Sequence, residues 1–382
     1  MIDFSDYQTE DSVRQYAAYI FDKSRNYPLL VKCFNQQQLD SLLDGMQNFT
    51  LYNYEQLQDG AANLKWKPIE ANITKRSTVY YIPSGIMHSI ALEALPLSDG
   101  TTLGQHYNFV RLTSAREIAN GHNRKESSRT ATLYGGLRYT LSSQKMEEES
   151  KTYDKSDMAW LMRSEYGDSG FKDLRNTKEE VEKIGKTLKN NGFVVRTYLE
   201  SKGNAESFVA LSGKSPSIVH IATHGFYYTP DEAKSNDYLS GYTDAMSLSG
   251  LVFAGGNAAW LGKKKVDGVL GGVLTAKDIA NLDFKGTDLM VLSACKTGQG
   301  KVTAEGVFGL QRAFKKAGVG TIIMSLWNVD DKVTSEFMVA FYAQLTDKAN
   351  NWNKRKAFEQ TKEIIRKKHP DPYYWAAFVM LD

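Results

Sequence analysis

Cysteine is nearly missing: Cys33 and Cys295 are the two in 382 residues. Two thiols cannot build a disulfide framework, and the six histidines show no HExxH or CxxC pattern that would hold a metal. The chain therefore points to a reducing, cytoplasmic setting with no metal and no cofactor. No stretch approaches the 18 or so apolar residues that would span a membrane. The start, Met1-Ile2-Asp3-Phe4-Ser5-Asp6, is too polar and acidic for a signal peptide. Charge of one sign is lacking too: 47 basic residues face 44 acidic ones, a net +3. That balance speaks against nucleic acid as a direct partner, and short basic runs such as Lys263-Lys264-Lys265 read as solvated faces. Two glycine-rich stretches, Ser249 to Gly256 and Gly268 to Gly272, lack both the P-loop lysine and the GxGxxG spacing of a phosphate cradle. No repeat of 20 to 50 residues is visible.

What is present is a 42% hydrophobic chain long enough for two or three domains. Residues 1–72 read as largely helical. Ser12 to Tyr19 and Gln36 to Leu43 carry apolar residues at three- and four-residue spacing, and a third helix is expected over Tyr54 to Ile73. Tyr27 to Lys32 reads as a short strand, with Cys33 beyond it as a small buried hydrophobe. Strand character follows at Ser77 to Pro83, Ile86 to Leu95 and Tyr107 to Leu112, and a helix start at Thr113 to Ile118. His88 reads as a packed histidine.

From Ala131 the pattern changes to strand, helix, strand: Ala131 to Leu137, a helix from Asn176 to Asn190, then Phe193 to Tyr198. Such alternation predicts a parallel sheet covered by helices. The segment 142–171 reads as a long charged loop, with at most one short helix. Two later strands end in reactive groups. Ser217 to Gly225 is an apolar run closing on His224-Gly225, and Leu289 to Leu292 leads through Ser293-Ala294 into Cys295. A helix over Glu305 to Ala317, a strand over Thr321 to Trp327 and a helix over Thr334 to Leu345 complete the pattern.

A cysteine nucleophile needs a general base, and His224 supplies one if the two strands are neighbours. The backbone N–H groups of Gly225 and Cys295 would then suit a developing oxyanion. Spacing alone is equally compatible with a buried structural cysteine and an unrelated histidine.

The blocks His220-Ile221-Ala222-Thr223-His224-Gly225 and Leu292-Ser293-Ala294-Cys295-Lys296-Thr297-Gly298 resemble the two signatures of the CHAT domain, in the caspase, separase and metacaspase clan of cysteine peptidases. The likeness extends through Ala304 to Phe314, Met324 to Asp331 and Tyr373 to Phe378, and to earlier segments at Ile82 to Gly85 and Arg111 to Glu117. The resemblance implies a caspase-like three-layer αβα fold with helices on both faces of a mostly parallel sheet. Residues 1–130 would form a helical segment with a degenerate, non-catalytic half, and residues 131–382 the catalytic half. It implies a cysteine endopeptidase working through His224 and Cys295 on a protein substrate, regulated by a fused or associated repeat or sensor domain. Asp330 and Asp331 match the place where separase-like relatives accept a basic side chain, although capping of the following helix accounts equally for aspartates there. Lys296 departs from the glutamate many CHAT sequences carry after the cysteine. The segment 142–171 becomes a candidate for self-cleavage, and the chain for an excised catalytic unit. The rival expectation is a catalytically silent interaction or signalling module on the same fold.

Overall fold

A computed structural model of the chain describes residues 1–120, 128–154, 170–228, 234, 244, 246–261, 268–293 and 304–382. Two compact units emerge, one of residues 1–123 with 366–382, the other of residues 124–365. Both are mixed α/β. None of the described helices is long and apolar enough to cross a membrane.

In the first unit, β1 (Ile2–Gln8), β2 (Arg14–Ile20) and β3 (Leu29–Asn35) form an antiparallel meander. Parallel strands β4 (Thr78–Ile82), β5 (Asn108–Arg111) and the last strand of the chain, β14 (Phe378–Leu381), extend it in the order β3-β2-β1-β4-β5-β14. Here the helical expectation for Ser12 to Tyr19 is corrected, because Arg14–Ile20 is a strand. Its apolar residues fit a helical stripe on paper, but pairing on both sides satisfies the backbone and buries Tyr16 against Phe34, with ring centroids 4.6 Å apart. Gln36–Leu43 is helical as expected (α1), closed by a reciprocal cap between Asn35 and Gln38. The single helix expected over Tyr54 to Ile73 is instead three short ones, Tyr54–Leu57, Gly60–Lys65 and Lys67–Glu70. Pro68 has no N–H to continue a helix but suits a first turn, so the chain restarts there. Ile86 to Leu95 is likewise no strand but two 3₁₀ turns, Gly85–Ser89 and Leu92–Ala94. The buried Arg111 guanidinium donates to the carbonyls of His88 and Ile90 and so anchors that irregular backbone.

Among its described residues the second unit holds five parallel strands in the order β13-β12-β8-β6-β7: β6 (Thr130–Leu137), β7 (Val194–Glu200), β8 (Ile218–Ile221), β12 (Leu289–Leu292) and β13 (Thr321–Ser325). β8 and β12 are fully buried, which explains their apolar runs, broken in β8 by His220. Helix α2 (Thr177–Asn190) crosses between β6 and β7, and α3 (Ala304–Lys316) between β12 and β13, followed by α4 (Asp331–Thr346). Gly135 lets the first turn of α2 close onto β6: a Cβ there would lie 2.4 Å from the Thr177 carbonyl oxygen. A separate three-stranded antiparallel sheet, β11-β10-β9, is made of β9 (His224–Tyr227), β10 (Ser249–Val252) and β11 (Val273–Thr275). Within 142–171 a helix spans Ser143–Ser150, and residues 155–169 lie outside the described residues.

Candidate active site

β8 and β12 lie side by side and parallel, with Leu289 opposite Ile218 and Leu292 opposite Ile221. Their carboxyl ends are level, the place where open α/β sheets build ligand crevices. The ladder continues one step beyond β12, since the Ser293 N–H donates to the Ile221 carbonyl at 3.0 Å. Cys295 lies outside the described residues, which end here at Ser293.

His224 does not end the apolar strand, as the sequence suggested. β8 stops at Ile221, and His224 opens β9 in the smaller sheet, opposite Val252. Thr223 makes the switch. Its hydroxyl donates to the Val252 carbonyl of β10 and also meets the Tyr139 hydroxyl at 2.9 Å. Gly225 follows in β9, opposite Leu251.

The imidazole is almost wholly buried, at 4% exposure. The rings of Tyr139 and Phe171 flank it, with centroids 4.8 and 5.2 Å away. Its Nε2 lies 2.7 Å from the carbonyl oxygen of Lys172. A carbonyl can only accept, so Nε2 carries the proton, and in the neutral form of the ring the lone pair is then on Nδ1. Burial, helped by the Asp173 and Asp331 carboxylates, raises the Tyr139 phenol well above its ordinary value, even with Thr223 and the His224 main chain bonding to it, so at neutral pH it acts as a neutral hydroxyl.

Lys172 is held on both sides. The Asn257 amide takes the Phe171 N–H at 2.6 Å and donates to the Phe171 carbonyl at 2.9 Å. Beyond Lys172, the Asp173 carboxylate accepts from the Tyr139 N–H at 3.2 Å. None of these supports was legible in the sequence, because a carbonyl carries no side-chain signature.

A second polar group lies under the two strand ends. Glu180 of α2 is 1% exposed and His220 of β8 is fully buried, with Nε2 2.8 Å from Glu180 Oε1. The Ser293 hydroxyl donates to that same oxygen. A signal for Glu180 did exist: with Thr177, Val181, Ile184 and Leu188 it occupies the buried stripe of its helix, where a carboxylate is out of place unless partnered.

Asp330 and Asp331 have described partners of their own. Asp330 caps α4, accepting from the Lys332 and Val333 N–H groups at 2.9 and 3.2 Å. Asp331 accepts from Asn176, at 3.0 Å from its side-chain nitrogen. Cys33 donates weakly to the Val31 carbonyl at 3.6 Å, and burial pushes its thiol up to about 12. His88 is buried in the first unit. Among the described residues no group of three or more His, Cys, Asp or Glu side chains is placed to hold a metal.

Comparison with known proteins gives a match to the CHAT domain family over residues 60–382. Tetratricopeptide repeat protein 28 of Homo sapiens is 32% identical over 111 residues, 28% of this chain and 4% of that protein. Its Mus musculus counterpart is 31% identical over 111 residues, again 28% of this chain and 4% of the relative. The chain thus spans a small part of the length of these curated relatives. Among solved structures, the Arg-specific cysteine proteinase gingipain R is 9% identical, with a TM-score of 0.45, 90% of this chain covered and 68% of that one. The Saccharomyces cerevisiae separase–securin complex gives 11% identity and a TM-score of 0.38, covering 86% of this chain and 17% of that one.

Proposed function

This chain belongs to the CHAT domain family, and on that footing we propose that it is a cysteine endopeptidase cleaving a partner protein, with His224 as general base and Cys295 as nucleophile. The observation that carries the reading is the 2.7 Å contact between His224 Nε2 and the Lys172 carbonyl, which leaves Nδ1 as the basic nitrogen. The side-by-side carboxyl ends of β8 and β12 support it further.

In the proposed reaction Nδ1 takes the thiol proton and the sulfur attacks the scissile carbonyl carbon. The backbone N–H groups of Gly225 and Cys295 receive the oxyanion. The C–N bond then breaks, the amine leaves with the proton returned by His224, and a thioester remains. Water, deprotonated by the same ring, hydrolyses the thioester and restores the thiol. Regulation through an associated repeat domain is part of the proposal, supported by the local likeness to tetratricopeptide repeat protein 28.

Incubation with a peptide library tests this. Cleavage is expected, and Cys295→Ala and His224→Ala should each abolish it. An intact library, together with a Cys295 that peptide electrophiles label no faster than Cys33, would favour a catalytically silent module.

A further inference from the structure

The Glu180 carboxylate has no part in the reaction just proposed, yet it is buried where an unpaired charge would be strongly destabilising. Its two partners come from neighbouring strands. His220 stands in register with Val291 of β12, and Ser293 is two residues beyond Val291, so His220 and Ser293 belong to one face of the sheet. Glu180 spans them from α2 above, one oxygen accepting from both. His220 Nδ1 has no hydrogen-bond partner among the described residues, and among them Glu180 is the hydrogen-bond partner of this imidazole. The ring of Tyr342, from α4, covers it edge-on at 5.6 Å, closing the group off from water.

The consequence lies in what each partner leads to. Four residues after His220 comes His224, and two after Ser293 comes Cys295. One carboxylate thus ties together the two places from which the chain departs toward the base and the nucleophile.

We propose that Glu180 is a positioning residue for the peptidase reaction: by bonding Ser293 and His220 at once it sets the separation from which the Cys295 and His224 segments leave their strands. The proposal rests on the peptidase reading above. Helix α2 is itself held in place for this task. Its first turn is pressed on Gly135, the Thr177 hydroxyl accepts from the Gly136 N–H at 2.9 Å, and Asn176, its cap residue, bonds Asp331. A misplaced general base or nucleophile loses rate far more than binding, because orientation enters the transition state and not the ground-state complex.

The test uses Ser293→Ala, which removes one bond of the pair, beside Ser293→Thr, which keeps the hydroxyl, and Glu180→Gln, which keeps an accepting oxygen. Peptide turnover and the rate of Cys295 alkylation by iodoacetamide are measured in each, with Cys33 in the same chain as internal control. Ser293→Ala should lower kcat at least about 10-fold while KM moves no more than about twofold. It should slow alkylation of Cys295 but not of Cys33, and Ser293→Thr should restore most of the loss. Glu180→Gln should fall between, since an amide accepts more weakly than a carboxylate. If the parent shows His224-dependent alkylation of Cys295 but Ser293→Ala matches it in kcat and alkylation, the positioning role is overturned and the peptidase reading stands. The role is equally overturned if the loss follows the melting temperature and threonine restores nothing. If His224→Ala leaves Cys295 alkylation in the parent unchanged, the peptidase reading fails and takes this role with it.

Discussion

His224 presents its Nε2 to the main-chain carbonyl of Lys172 at 2.7 Å. A carboxylate in that place would stabilise an imidazolium; a carbonyl fixes the tautomer and the ring plane without adding a charge. The carbonyl cannot be mutated, but the side chain that holds its neighbour can. Asn257→Ala removes both bonds to the Phe171 backbone and the 2.8 Å bond to Thr140. The expected result is a fall in kcat of about 10-fold or more with little change in KM. Nitrogen-15 shifts of the His224 ring should then show a mixture of tautomers. A pure tautomer together with unchanged kcat would show that Asn257 does not act on the ring.

Asp330 separates capping from recognition. Asp330→Ala should cost about 1 kcal/mol in chemical unfolding, the usual worth of such a cap. Asp330→Asn keeps an accepting oxygen and should keep the stability. Cleavage profiles of the asparagine variant then decide: an unchanged preference confines Asp330 to capping, and a lost preference for basic side chains assigns it to the substrate.

Lys65 predicts how stability depends on pH. Its ammonium is fully buried, has no hydrogen-bond partner among the described residues and sits 5.1 Å from the Phe34 ring. Burial lowers its pKa from 10.5 to about 7. Between those values the unfolded chain binds the proton that the folded chain has released, so stability rises with pH from about 7 toward 10.5, by at most about 1.4 kcal/mol per pH unit. Below about 7 both states are protonated and the penalty is present in full. Lys65→Met should stabilise the protein most at and below neutral pH and flatten this slope. A parallel offset across pH 6 to 10 in urea melts would contradict the assignment.

Gly135→Ala tests the seat of α2. A Cβ would meet the Thr177 carbonyl oxygen at 2.4 Å and Val181 carbons at 2.8 and 2.9 Å, so the helix must shift. Overpacking of this kind costs about 1–3 kcal/mol. Because Glu180 shifts with the helix, activity should fall further than the change in unfolding midpoint alone explains. Gly213→Ala is the contrast, since nothing lies within 4 Å of a Cβ there; its loss should be confined to the strain of a positive φ.

Legibility followed the range of the interactions involved. The helix over Gln36 to Leu43, the cap at Asp330 and the buried runs of β8 and β12 could be read from a few neighbouring residues. Ser12 to Tyr19 could not, because its apolar spacing suits a helix and a strand alike, and only the pairing with β1 and β3 decides. Ile86 to Leu95 was misread for the same reason: its backbone is satisfied by Arg111, 21 and 23 residues away from the carbonyls it bonds.

By itself, the sequence determined the succession of strands and helices in the parallel sheet of the second unit, the family signatures and the two residues on which the chemistry is proposed to rest, since all of these depend on local pattern. Tertiary structure alone decided that His224 opens a strand of a second sheet, that its ring meets a carbonyl 52 residues away, and that Glu180 joins His220 and Ser293 across 40 and 113 residues. Such bonds are chosen by which surfaces come together in folding, and a linear pattern carries no record of that choice.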